Sequence, residues 1–150
     1  MTRTLKVLSL LAYLILAAPT ANAGPIEDYK AMTKQGQYAP AFRNLKAAAN
    51  AGSSDAQFHL GYLYYKGQSV GQSDKDAFIW YEKATNGGHA EAAMYLGFMH
   101  EKGRGAPKNP VEAAKLYRKA AEQGNAQAQS NLAYFYANGI GVPKSEAEAV

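Results

Sequence analysis

The sequence has 150 residues, no cysteine, and 16 Lys and Arg against 12 Asp and Glu, for a formal net charge of +4. That length suffices for one domain, and without cysteine the chain is neither a disulfide-stapled scaffold nor a thiol enzyme. Charges of both signs alternate along it and form no basic stripe, so no nucleic-acid partner is expected.

In chain order, the first element is an export signal. Arg3 and Lys6 precede a nearly wholly apolar run from Val7 to Ala18, Pro19 ends the run, and Ala21-Asn22-Ala23 puts small residues at the two positions a signal peptidase reads. Basic, apolar and small segments in that order are the layout of a secretory signal. The run is 12 residues long, whereas a membrane-spanning helix needs roughly 20. Residues 1–23 are therefore expected to be removed, leaving Gly24 as the mature N-terminus, no integral membrane segment, and a periplasmic or secreted protein. No cysteine follows the run to take a lipid, and no Arg-Arg pair precedes it to direct twin-arginine export. Once Arg3 and Lys6 are gone, 14 basic residues face 12 acidic ones, a net of about +2.

Residues 24–54 read as a helical hairpin. Gly36-Gln37-Tyr38-Ala39-Pro40-Ala41 leads into Leu45, Ala48 and Gly52, which fit a second helix, and Ile26 to Lys34 is a degenerate first one. This hairpin is expected to cap the units that follow.

From Asp55 on, the chain repeats itself. Leu60, Leu96 and Leu132 are 36 residues apart, as are Gly67, Gly103 and Gly139, then Ala77, Ala113 and Ala149, and also Gly52, Gly88 and Gly124. A fixed period of this size marks a repeat architecture, with units at 55–90, 91–126 and a partial one at 127–150. Each unit reads as two helices, A and B. Ala56, Leu60, Leu63 and Tyr64 fall on one face of helix A, and Gly67, Gly103 and Gly139 are placed to close it. A glycine-rich loop follows, with proline in two copies (Pro107 and Pro143). Helix B opens at Ser73, Asn109 or Ser145. Asn109 and Ser145 stand three residues before Glu112 and Glu148, the spacing of a capping box. Pro110 occupies the first helical position, and Ala113, Leu116, Tyr117 and Ala120 share one face. Gly61, Gly97 and Ala133, with Ala77 and Ala113, let helices A and B approach closely. The expected core is Leu60, Leu96, Leu132, Tyr64, Tyr81, Tyr117 and Tyr136. In the last unit the second helix is truncated, with barely more than one turn from Glu146 to Val150. Leu132, Phe135 and Tyr136 are thus left on an open C-terminal face, where a partner or a second copy would dock unless the chain is a fragment of a longer array.

The pattern A-x-x-x-L-G-x-x-Y, then G-x-G-x-P, then A-x-x-W/L-Y-x-x-A-A-x-x-G resembles the sel-1-like repeat family, relatives of the tetratricopeptide repeats. The resemblance covers residues 55–150 and is most specific in the second unit. It departs at Ser69 and Gly71, where the loop glycine and proline are lost, and at His100, which replaces a tyrosine. It implies an all-α fold, a right-handed α-α superhelix (solenoid) of helix-turn-helix repeats. In the tetratricopeptide relatives, helix A lines a concave groove and contacts ligand from positions around the Leu-Gly pair. Carried over, the first unit supplies Asp55, Phe58, Tyr62, Tyr65 and Lys66. The second supplies Glu91, Met94, Phe98, Glu101 and Lys102, and the last Gln127, Ser130, Tyr134, Ala137 and Asn138. Aromatic and methionine side chains carry interface energy, so the favoured groove set is Phe58, Tyr62, Tyr65, Lys66, Met94, Phe98, Lys102, Tyr134 and Asn138. Packing between units competes with this reading, most strongly for Phe58 and Phe98.

No catalytic, cofactor or metal site is expected. His59, His89 and His100 include no i, i+4 pair, and there is no His-Glu-x-x-His. His89-Ala90-Glu91 lacks the cysteines of a zinc deaminase. Gly103-Arg104-Gly105 is followed by no Lys-Ser/Thr and recurs as Gly139-Ile140-Gly141, so it is a turn and not a phosphate loop. No serine sits in a strand–turn–helix elbow. The expected function is an adaptor that binds a protein or peptide on the concave face. The alternative is a glycan or peptidoglycan binder, since an aromatic groove also suits sugar rings. Trp80, the side chain most typical of sugar platforms, lies on helix B away from that groove.

Overall fold

The computed structural model describes residues 24–149. The expected export signal, 1–23, lies outside the described residues. Those residues form seven α-helices and no strand: α1 (Pro25–Lys34), α2 (Tyr38–Asn50), α3 (Ser54–Lys66), α4 (Asp74–Asn86), α5 (Ala90–Lys102), α6 (Pro110–Glu122) and α7 (Ala126–Asn138). None of them is long and apolar enough to cross a membrane.

Local chemistry sets the helix ends. Each A helix (α3, α5, α7) starts where a polar side chain accepts a backbone N–H three residues on: Ser53 from Ala56 at 3.3 Å, His89 from Ala92 at 3.2 Å and Asn125 from Ala128 at 2.8 Å. Each ends on the expected glycine, Gly67, Gly103 or Gly139, at φ 69°, 70° and 66°. Pro25 and Pro110 begin α1 and α6, where a missing N–H costs nothing. The caps of the B helices are only half of the expected box. Asn109 and Ser145 accept from the N–H of Glu112 and Glu148 at 3.1 and 3.3 Å, but no glutamate reaches back. The reason is tertiary: the N–H groups of Ser73, Asn109 and Ser145 already donate to the carbonyls of Tyr64, His100 and Tyr136 at 3.0, 2.9 and 3.0 Å, tying the start of B to the end of A.

The hairpins stack so that each packs on the next, the quasi-one-dimensional arrangement of a repeat solenoid. Leu45, Ala49, Ala56, Leu60, Leu63 and Trp80 form the first buried cluster, with Tyr29 of α1. A second gathers Ala77, Tyr81, Leu96, Met99 and Leu116, and a third Ala113, Tyr117, Ala128 and Phe135. Helices A and B meet where A carries glycine. A Cβ on Gly61 would lie 2.8 Å from the Tyr81 ring, and one on Gly97 2.9 Å from the Tyr117 ring.

The third unit departs from the other two. Residues 146–149 form turns and not a helix, so among the described residues no tyrosine of a following helix lies against α7 as Tyr81 and Tyr117 lie against α3 and α5. Leu60 and Leu96 are 0 % and 5 % exposed, whereas Leu132, expected in the core with them, is only half-buried. Tyr64 and Tyr136 are likewise half-buried. Phe135 still packs edge-on against Tyr117 at 5.3 Å between ring centroids.

The loops join successive units. Arg104 reaches back to α4 and donates to both oxygens of Asp74, at 2.9 and 2.7 Å. Ser69 occupies the loop position of Gly105 and Gly141 and shares their positive φ, at 62°. Its hydroxyl bonds that of Tyr29 at 2.9 Å.

Candidate functional site

Residues three and four apart line one side of a helix. On α5 the set 92, 93, 96 and 99 is buried, which turns Met94, Tyr95, Phe98, Glu101 and Lys102 the other way. With Tyr65 and Lys66 from α3 and Gln127 and Asn131 from α7, they line an open groove of about 410 Å³ across the A helices.

The groove is aromatic with cationic edges. The Lys66 ammonium sits 5.7 Å from the ring centroids of both Tyr62 and Tyr65, and that of Lys102 lies 5.6 Å from Phe98, within the range of cation–π attraction. The Arg104 guanidinium is 4.4 Å from Tyr65. Glu101 is the groove's acid. Burial would push its carboxyl up, but hydrogen bonds from Lys102 and Tyr117 outweigh this and hold it below the usual carboxylate range. Gln127 donates to the Asn131 side-chain oxygen at 3.0 Å. Polar donors, rings and thioether side by side suit a peptide, whose backbone needs amide partners and whose apolar side chains need rings.

Five of the residues expected from the sequence meet in this groove: Tyr65, Lys66, Met94, Phe98 and Lys102. Phe58 does not line this groove; it lies at the floor of the second depression described below. It is 8 % exposed, stacked on His89 at 4.5 Å and packed against Tyr81 and Tyr95 at 5.8 and 5.9 Å. The start of α5 closes over it, which a stripe read along one helix does not reveal. Tyr62 stands beside the groove, against Tyr95 at 6.2 Å. Tyr134 is 59 % exposed and is not part of the groove lining. Asn138 also lies outside the lining and donates its amide locally to the Tyr134 carbonyl at 2.8 Å. Tyr95 and Asn131 are groove residues the sequence reading passed over. They share the register position of His59, just before the leucine of each Leu-Gly pair, so the 36-residue period itself is the signal that could have found them.

A second depression, also of about 410 Å³, lies at the other end of the A helices, between Gly24–Glu27 and Asp55, His59, His89 and Glu91. His89 Nε2 is 3.5 Å from Asp55 Oδ1. Burial lowers the His59 pKa, with Lys30 adding to the effect. Among the described residues no three His, Asp or Glu side chains are placed to hold a metal ion.

Comparison with known proteins agrees with the repeat fold. The chain is similar to a Sel1 repeat protein from Oxalobacter formigenes at 40 % identity, with TM-score 0.76, over 85 % of this chain and 51 % of that one. It is also similar to c5321, a protective antigen present in uropathogenic Escherichia coli strains displaying an SLR fold, at 34 % identity and TM-score 0.73, over 75 % of this chain and 24 % of that one. The chain thus spans about half the length of the first and about a quarter of the second. Helicobacter pylori cysteine rich protein B shares the fold, at 22 % identity and TM-score 0.61, over 82 % of this chain and 92 % of that one. No curated protein matches the chain. Sel1 repeats generally serve as non-enzymatic protein-interaction scaffolds. The Sel1 repeat family model matches residues 54–89, 90–125 and 126–150 in succession, and the chain belongs to that family.

Proposed function

We propose that this protein is an exported adaptor whose groove across the A helices binds a protein or peptide segment. The supporting observation is the convergence of Tyr65, Lys66, Met94, Phe98 and Lys102 on one open groove, with Tyr95, Glu101, Gln127 and Asn131 completing its wall. A sugar platform is the weaker reading, because Trp80 is buried in the first core cluster, with the Lys83 ammonium 4.2 Å from its ring.

The test is capture from an envelope extract by immobilised wild-type and variant chains. Phe98→Ala is expected to weaken capture of the partner by about 2 kcal/mol, as loss of an interface anchor does. Lys66→Ala, at an exposed position, should weaken it by less while leaving the melting temperature unchanged. Equal capture by all three chains would count against the groove.

Export is tested separately, by the mass of the native protein. The expected N-terminal residue is Gly24, and intact Met1 or Thr2 on the bulk of the protein would overturn the export reading.

A further inference from the structure

Two successive units differ in one polar detail. In the second, the buried Tyr117 hydroxyl donates to Glu101 Oε2 at 2.7 Å, and Lys102 Nζ donates to Oε1 at 2.5 Å. The residues one period earlier are Tyr81, Tyr65 and Lys66. Tyr81 repeats Tyr117 in position as well as in type, since each ring lies against the glycine of its A helix, Gly61 or Gly97. Lys66 repeats Lys102. Tyr65, however, stands where the second unit has its carboxylate.

The consequence is visible at both donors. Tyr81 is fully buried, and its hydroxyl has no hydrogen-bond partner. An unpaired buried hydroxyl forfeits the bond it would make in water, and such a group in a native structure points to a missing partner. Burial, with Tyr95 and Tyr65 nearby, drives the Tyr81 pKa upward, so the hydroxyl keeps its proton and remains a donor, as Tyr117 is to Glu101. Lys66 has no carboxylate partner among the described residues and rests over the rings of Tyr62 and Tyr65. Arg104 places a further cation beside Tyr65. The first unit thus holds the two donors of the Glu101 arrangement without the acid.

We propose that an aspartate or glutamate side chain of the partner fills this place, with Tyr81 Oη and Lys66 Nζ donating to its two oxygens as Tyr117 and Lys102 do to Glu101. The proposal rests on the groove reading, since Tyr65 and Lys66 line that groove. Entry requires the half-exposed Tyr65 ring to turn aside, a side-chain rearrangement of the size common on binding. A side-chain carboxylate is favoured over a chain terminus because Tyr81 Oη lies beneath the surface. A carboxylate on a flexible stem reaches it as Glu101 reaches Tyr117, whereas a terminus would have to bring backbone into the core.

The experiment follows tyrosine ring carbons by NMR in the exported full chain at constant ionic strength. Three probes are titrated: acetyl-Ala-Glu-Ala-amide, its Gln analogue, and acetyl-Ala-Ala-Ala with a free terminus. The Glu peptide is expected to shift the Tyr81 resonance saturably, with at least tenfold weaker responses from the other two. Lys66→Ala should weaken the Glu response at least tenfold. Tyr65→Glu should supply the acid in place, keeping or raising the melting temperature and abolishing the response. No saturable Tyr81 shift, an equal response to the Gln peptide, or a response to the free terminus alone would overturn the proposal. If the Glu peptide fails while Phe98→Ala still loses partner capture, the groove stands and the carboxylate site falls. If Phe98→Ala changes nothing, the groove reading fails whatever the peptide does.

Discussion

Replacing Leu96 with alanine is expected to destabilise the protein by about 2–5 kcal/mol, the range for truncating a core leucine. Leu96 is 5 % exposed and lies in the cluster where α4, α5 and α6 meet, with Ala77, Tyr81, Met99 and Leu116 around it. Solenoid stability is a sum of units and their interfaces, so a cavity here weakens a unit with neighbours on both sides. Leu132→Ala is the internal comparison. It removes the same atoms at the same register position, but Leu132 is half-exposed beside residues 146–149, which form no helix. Its cost should fall clearly below that of Leu96→Ala in urea unfolding. Equal shifts in midpoint would mean that the third unit is covered as well as the second.

Gly105→Ala is expected to cost as much by a different route. Gly105 has φ +75°, and a Cβ there would collide with the Asp74 carbonyl oxygen and lie 2.9 Å from Phe78 Cβ. The left-handed conformation costs an L-residue about 1–2 kcal/mol, and overpacking typically adds about 1–3 kcal/mol. The collision partner is backbone at the start of α4, so it cannot swing away as a side chain would. Gly124, at φ +85° with nothing within 4 Å of a Cβ, separates the two contributions. Gly124→Ala should show the conformational cost alone, and a Gly105→Ala effect no larger than that would show that the loop does not press on the preceding unit. Ser69 shows how the family pattern bends here. It keeps the positive φ without glycine, and its hydroxyl bonds Tyr29.

The helices from α3 to α7 were legible because the 36-residue period superimposes independent signals, leucine spacing, closing glycines and caps, at the same positions. The failures came where the environment differed although the residue type repeated. Leu132 matches Leu60 and Leu96 in sequence but lacks the covering helix. Phe58 continues a stripe with Tyr62 and Tyr65, yet His89 and Tyr95 from the next unit close over it, a contact that spacing along α3 cannot encode. The capping box failed for a similar reason, since the cap N–H groups were already taken by carbonyls of helix A. The groove positions were carried over from the tetratricopeptide resemblance, and five of them meet in one depression, Tyr65 and Lys66 at the end of α3 and Met94, Phe98 and Lys102 on the outward face of α5. Tyr95 was missed because it lies one residue from the buried Leu96, at the edge of that face.

The proposed groove across the A helices, and not the outer surface, is expected to meet the partner. A photo-crosslinking amino acid placed at Phe98 in the groove, and separately at Val111 on α6, tests it directly. Val111 is 50 % exposed and apolar, so it controls for nonspecific adhesion. Irradiation in an envelope extract is expected to give a discrete covalent adduct from position 98 and none from position 111. Adducts of the same mass and yield from both positions, or from position 111 alone, would contradict the account.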